Sequence, residues 1–178
     1  MNLTEKKLAQ ELVFDGNLLK LYCTQVELSN GKKSMREWIN HPGAAAIIPL
    51  LSNGETLLVR QFRYPLGRET LEIPAGKIDS GESPLACAVR ELREETGLFA
   101  GEFIKIGSLL TTPGFTNEEI HLFLSKNSSR GSADTDEDEF INTIVLPIDK
   151  VFQMMMEGQI KDAKTIVAFL LARTRGLL

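Results

Sequence analysis

Cysteine is scarce in this chain. Cys23 and Cys87 are the only two, too few for a disulfide framework, and a reducing cytoplasm is the expected compartment. An excess of positive charge is missing as well. Lys and Arg number 20 against 24 Asp and Glu, a formal net charge of −4, so no general basic character points to nucleic acid as a partner. No apolar stretch is long enough to span a bilayer. The opening Met-Asn-Leu-Thr-Glu-Lys-Lys has no apolar run of the signal-peptide kind. No internal repeat is visible. What is present is ordinary: 43% hydrophobic and 25% charged residues over 178 positions, a balance and length that suit a globular protein with a sizeable core.

One stretch stands out, Gly76 to Leu98. Ser83 is a good N-cap, Pro84 suits the first helical position, and Gly97 supplies a left-handed stop. Leu85, Ala88, Val89 and Leu92 recur at helical spacing and predict a core-facing stripe. Glu91, Glu94 and Glu95 stand at i, i+3 and i+4, so their carboxylates share a face. In an isolated helix that is unfavourable, because like charges repel and the acids lie toward the negative C-terminal end. A solvated acidic face is one outcome. A hard divalent cation, which takes oxygen ligands and can be bridged by carboxylates, is the other. Arg90 lies four residues before Glu94 and is placed to hold that side chain. Cys87, inside the helix, is expected to be a small core residue.

The fixed positions Gly76, Glu82, Arg90, Glu91, Leu92, Glu94, Glu95, Gly97 and Leu98 fill every place of the pattern G-x5-E-x7-R-E-U-x-E-E-x-G-U, where U is a bulky aliphatic. On these residues the chain resembles the Nudix hydrolases. The resemblance implies an α/β fold, a mixed sheet between helices, and hydrolysis of a nucleoside diphosphate linked to another moiety with Mg2+ or Mn2+. Leu71-Glu72-Ile73-Pro74-Ala75-Gly76 resembles the entry to that helix in the ADP-ribose branch. Pro113-Gly114, with the proline fifteen residues after Leu98, matches a marker of the same branch. Gly158 to Thr165 resembles its C-terminal helix entry, so the likeness runs over most of the chain.

Around that stretch the chain divides into an expected front piece, residues 1–40, and a hydrolase domain, residues 41–178. Glu11–Phe14 and Leu18–Leu28 read as strands across the turn Asp15-Gly16-Asn17. Ser29-Asn30-Gly31 turns the chain again into Lys32–Trp38, giving a three-stranded antiparallel meander. After His41-Pro42-Gly43 come a buried strand at Ala44–Leu51, a returning strand at Thr56–Arg63 and a third at Glu69–Ala75. Arg60 and Arg63, three apart on a strand, face opposite sides. Phe103–Thr111, Ile120–Leu124 and Phe140–Val145 are expected strands. His121, between Ile120 and Leu122, reads as a surface or satisfied histidine. Asp149–Glu157 is an expected helix with Val151, Phe152, Met155 and Met156 as its apolar face, and a final half-buried helix covers Ile166–Arg173. Residues 125–139 read as a loop ending in the acidic run Asp134 to Glu139.

The resemblance also assigns roles. Glu91 and Glu95 would ligate the metal directly, Glu94 would bridge, Glu82 would be an outer ligand or anchor, and the Ala75 carbonyl would be a further ligand. Two or three ions would occupy the site. Arg90 is grouped with the catalytic residues. Glu137 and Glu139 both match a loop glutamate that serves as base or extra ligand. Arg63 matches a phosphate-binding arginine, Arg36 and Glu37 match contacts to the adenosine part, and Glu118 matches a contact to the terminal ribose. The N-terminal strands would cross between the subunits of a homodimer. The implied activity is ADP-ribose pyrophosphatase, giving AMP and ribose 5-phosphate. The alternatives are a broader nucleoside diphosphate sugar hydrolase accepting GDP-mannose or similar, and a non-catalytic ADP-ribose sensor.

Overall fold

Runs of alternating residues separated by Gly16 and Gly31 build the front of the molecule. A computed structural model describes residues 2–99, 101–130 and 141–178. Three strands, β1 (Lys6–Asp15), β2 (Lys20–Glu27) and β3 (Lys33–Asn40), pair antiparallel in the order β1-β2-β3. Glu11 lies opposite Cys23, and Cys23 opposite Glu37. Tyr22 stacks on Trp38 with ring centroids 5.1 Å apart, and the Trp38 indole N–H donates to Thr24 Oγ1 at 3.0 Å. The first strand begins five residues earlier than its sequence signal at Glu11. Lys6–Gln10 is too polar to show an apolar alternation, and pairing with β2 recruits it.

This sheet belongs to one compact unit, Met1–Gly43 with Leu110–Glu119; Ala44–Leu109 with Ile120–Leu178 forms the other. The second unit holds β4 (Ala44–Pro49), β5 (Glu55–Arg63), a 3-10 turn at Tyr64–Leu66, β6 (Arg68–Glu72) and β7 (Ala75–Lys77). Then come α1 (Pro84–Thr96), β8 (Leu98–Phe99), β9 (Glu102–Leu110), β10 (Glu119–Lys126), β11 (Ser129–Arg130), β12 (Asn142–Pro147), α2 (Ile148–Met156) and α3 (Ala163–Thr174).

β4 is the centre of this unit because it has no polar side chain and every residue of it is buried. A strand covered on both faces reads as a continuous apolar run. It pairs parallel with β10, Ala44 opposite Ile120, and antiparallel with β7, Ala46 opposite Ala75, in the sheet order β7-β4-β10-β9. Its side chains alternate between two cores. Ala45 and Ile47 pack with Cys87, Ala88 and Leu92 of α1. Ala44, Ala46 and Ile48 pack with Val151 of α2 and Ala168, Phe169 and Ala172 of α3. The α/β expectation of a mixed sheet between helices holds. β12, β5 and β6 form a further antiparallel sheet.

Four local expectations change. Leu85 and Val89 are 42% and 40% exposed, and the buried face of α1 is Cys87, Ala88, Leu92 and Glu95. The helix is turned so that its acids, not Leu85, meet β7. Met156 is 88% exposed because α2 ends there and the chain turns away at Gly158. Glu69–Ala75 splits at Ile73-Pro74 into β6 and β7, which join different sheets; proline lacks the ladder donor. Ser129–Arg130, read as loop, pairs with Leu98–Phe99.

Phe169 is fully buried, with its ring edge-on to Phe152 at 5.9 Å. Phe169→Ala is therefore expected to cost about 3–5 kcal/mol in urea denaturation, whereas Met156→Ala should shift stability by less than about 0.5 kcal/mol.

Candidate active site

Local folding rules place the acids. Ser83 Oγ accepts from the Ala86 N–H at 3.2 Å, Pro84 opens α1, and Gly97 closes it at φ 67° with its N–H donating to the Arg93 carbonyl. Within this frame Glu95 is buried, 6% exposed, and accepts from the Ala75 N–H at 3.0 Å. That bond ties the helix to the start of β7. Gly76 follows, and a Cβ built there would overlap the Glu91 carboxylate. The glycine is required so that the Glu91 side chain can lie against the β7 backbone.

Arg90 gathers the remaining acids. Its Nε and Nη2 donate to the two Glu82 oxygens at 3.0 Å each, and its Nη1 donates to Glu91 Oε1 at 2.6 Å and Glu94 Oε2 at 2.9 Å. Nη2 also donates to the Lys77 carbonyl at 3.0 Å. Hydrogen bonds to Glu82 above all, then the charge and bond of Glu91, raise the Arg90 pKa further above its ordinary range. Reciprocally, Arg90 pulls Glu82 down to about 2, helped by the Asp79 N–H, which donates to it at 3.1 Å. Burial pushes the Cys87 thiol up to about 12, in keeping with a core residue rather than a nucleophile.

Carboxylates and a backbone edge supply only hard oxygen donors, the chemistry that suits a hard divalent cation. One guanidinium is shared by Glu82, Glu91 and Glu94, and Glu95 accepts from the Ala75 N–H. Among the described residues, no three His, Cys, Asp or Glu side chains stand ready in ligating geometry. Arg90 accounts for this, since it lies where three of the carboxylates meet.

A second network lies upstream on β5 and β6. Arg63 donates to Glu72 through Nε at 2.9 Å and Nη2 at 2.7 Å, a bidentate pair. Glu72 is 3% exposed and also receives Thr70 Oγ1 at 2.5 Å and the Lys164 ammonium. Lys164 bonds Asp162 at 3.0 Å, Asp162 caps α3 through the Thr165 N–H at 3.0 Å, and Thr165 Oγ1 accepts from the Ile73 N–H at 2.9 Å. Burial alone would raise the Glu72 pKa, but Arg63, Lys164 and Thr70 outweigh it and hold it at about 2. Arg63, Thr70, Glu72, Asp162 and Lys164 line a cleft of about 480 Å3 with Arg68 and Lys161, so four cations and two acids share it. Sequence reasoning missed this cluster apart from Arg63. The visible signal was an acid, Glu72, between two core residues, Leu71 and Ile73. As alternation requires, Arg60 faces away from Arg63, 4.0 Å from Glu69.

The other candidates lie in the unit that holds β3. Arg36 is bidentate to Glu5, at 3.0 and 2.5 Å, and its neighbour Glu37 is exposed on the opposite face. Glu118 accepts from Thr111 Oγ1 at 2.7 Å and lies 3.6 Å from His41 Nε2. Glu137 and Glu139 lie outside the described residues.

Comparison with known proteins bears on these groups together. A NUDIX domain model matches residues 40–169. The chain is 41% identical over 169 residues to the ADP-ribose pyrophosphatase of Bacillus subtilis (strain 168), covering 94% of this chain and 91% of that one. It is 42% identical over 166 residues to the methanol dehydrogenase activator of Bacillus methanolicus, covering 92% and 90%. A crystal structure of an ADP compounds hydrolase superposes over the full length of both chains with a TM-score of 0.86 at 21% identity, which establishes the fold.

The Glu72 network makes stability pH-dependent. Its carboxyl titrates at about 2 when folded against an ordinary 4.5, so the unfolded chain binds more protons between those values. Its contribution is complete above about pH 4.5 and is lost as pH falls through about 2. Acid titration of unfolding should show a shallower slope in that window for Glu72→Gln, with lower stability at neutral pH.

Proposed function

The chain belongs to the NUDIX family, and we propose that it is a pyrophosphatase that splits ADP-ribose into AMP and ribose 5-phosphate. The observation that carries this is the gathering of Glu82, Glu91 and Glu94 around Arg90, with Glu95 locked onto β7. The name of the Bacillus subtilis relative supports ADP-ribose as the substrate. A sensor that only binds nucleotide has no need of such a set of acids.

Glu91, Glu94 and Glu95, with Glu82 outside them and the Ala75 carbonyl beside them, would hold two or three Mg2+ or Mn2+ ions. Such ions would supply charge neutralisation on the phosphates and a water of lowered pKa. The chain's own residues do the rest. Arg90 fixes the acids before any ligand arrives. Arg63, kept cationic by Glu72, meets the substrate's negative charge at the mouth of a cleft that Arg68, Lys161 and Lys164 make positive. Glu137 or Glu139 accepts the proton of the attacking water. Arg36 and Glu37 contact the adenosine part, and Glu118 accepts hydroxyls of the terminal ribose. The cytoplasm is the compartment we assign, consistent with two free cysteines. No helix among the described residues is long and apolar enough to cross a membrane.

We also infer a homodimer with exchanged N-terminal strands. All ten residues of β1 are exposed, and Leu12, Val13 and Phe14 are 42%, 57% and 55% exposed. A long edge strand with apolar side chains is a site for pairing with another chain.

Three measurements test these readings. Glu94→Gln should bring ADP-ribose hydrolysis down to background at saturating Mg2+ with an unchanged circular dichroism spectrum, because an amide does not supply the carboxylate charge. Activity within a few-fold of wild type refutes the role. A screen of nucleotide sugars with products resolved by chromatography should favour ADP-ribose over GDP-mannose. Light scattering at micromolar protein should give twice the mass of one chain, and a monomer mass refutes the exchanged dimer.

A further inference from the structure

We propose that His41 is a positioning residue for Glu118, orienting the carboxylate toward the hydroxyls of the substrate's sugar. This rests on the assignment of Glu118 to the terminal ribose. The geometry begins at the end of β3. The His41 backbone N–H donates to Asn117 Oδ1 at 2.7 Å, and Asn117 Nδ2 donates to Asn40 Oδ1 at 3.1 Å. The Ile39 N–H donates to the Phe115 carbonyl at 2.8 Å. These bonds fasten the segment that carries Glu118 to the segment that carries His41.

The imidazole has its two nitrogens in different work. Nδ1 accepts from the Gly43 N–H at 3.1 Å, across the His-Pro-Gly turn. With its lone pair used there, the proton of the neutral ring sits on Nε2. Nε2 lies 3.6 Å from Glu118 Oε1, and both side chains are mostly shielded, 14% and 25% exposed. The other oxygen, Oε2, is held by Thr111 Oγ1 at 2.7 Å. Glu118 is thus clamped on one oxygen and faced by an N–H on the other. Each carboxylate oxygen has two lone pairs. Thr111 takes one lone pair of Oε2, and the His41 ring stands 3.6 Å from Oε1, so both oxygens keep acceptor positions for two neighbouring sugar hydroxyls. The separation at Oε1 exceeds a hydrogen bond, and a shift of the carboxylate by a few tenths of an ångström toward the ring would close it.

Asparagine and glutamine separate the two roles of the ring. Asn at position 41 keeps an acceptor at the δ position for Gly43 and loses the ε donor. Gln places an N–H near the ε position and gives up the Gly43 acceptor. Steady-state hydrolysis of ADP-ribose with Mg2+ and thermal melting are measured for H41N, H41Q, E118Q and H41N/E118Q. The expected result is a KM raised roughly three- to tenfold in H41N with kcat and melting temperature unchanged, the size of one hydrogen bond. H41Q should return KM to within about twofold of wild type while melting lower. In the E118Q background, H41N should add nothing to KM. An unchanged KM in H41N beside a raised KM in E118Q overturns the role of His41 and leaves that of Glu118 standing. An unchanged KM in E118Q removes the ribose assignment itself, and His41 with it. Equal KM defects in H41N and H41Q also overturn the proposal, since they mark a turn that merely needs histidine.

Discussion

The arrangement of the site depends on one guanidinium. Four carboxylates gather along α1, Glu82 from the loop before it and Glu91, Glu94 and Glu95 from its own turns, and at helical spacing the last three repel. Arg90 meets three of the acids with its fork of donors. A lysine would not do the same, because a point charge lacks the planar set of N–H groups that Nε, Nη1 and Nη2 spread over Glu82, Glu91 and Glu94. The fourth acid, Glu95, is handled by burial and a backbone donor instead. The two solutions fix the rotation of the helix. Glu95 must face β7, so Leu85 and Val89 are carried outward to solvent.

The sheet side of the site obeys the same constraint. β7 is three residues long and begins immediately after Pro74, so it has little pairing of its own beyond Ala44–Ala46. The start of the strand is set by side chains from elsewhere. Glu95 holds the Ala75 N–H, and Thr165, at the capped start of α3, holds the Ile73 N–H. The buried Glu72 then joins β6 to Lys164 and Arg63. Truncating one member of such a buried ionic cluster leaves its partners as uncompensated charges, so the cluster constrains where β6, β7 and α3 can lie.

Much of this was legible in the residues. Ser83, Pro84 and Gly97 bounded α1 because capping is a local rule, readable over three or four positions. The unbroken apolar run at Ala44–Leu51 marked the buried strand. The pairing of Arg90 with Glu94 followed from their spacing of four. What was hidden required the third dimension. The stripe read from helical spacing ran through Leu85, Ala88, Val89 and Leu92, and of these Ala88 and Leu92 are buried while Leu85 and Val89 face solvent. The buried acid Glu95 turns the helix by that margin. Glu72 and Lys164 are 92 residues apart, and neither belongs to any local pattern that names the other. The same holds for His41 with Glu118 and Thr111, whose contact depends on the end of β3 lying beside the 110–119 segment.

Arg90 also answers why acids should be gathered before a cation reaches them. A glutamate side chain ordered from solution loses up to about 1.5–2 kcal/mol of rotamer freedom, and several must be ordered to form one ligand set. Here the salt bridges order Glu82, Glu91 and Glu94 as the protein folds, at the expense of folding free energy rather than of binding. On the proposed metal site the arrangement would carry a cost at the binding step, because an arriving cation would have to share oxygens that Arg90 already holds. That cost stays moderate since Arg90 has alternatives: the Lys77 carbonyl and both oxygens of Glu82, which lie to one side of Glu91 and Glu94. The guanidinium can give up its Nη1 bonds and keep the rest. Glu82 is therefore best understood as the anchor that lets Arg90 release Glu91 and Glu94 without leaving the site, and its low pKa, held mainly by Arg90 itself, is the signature of that standing bond.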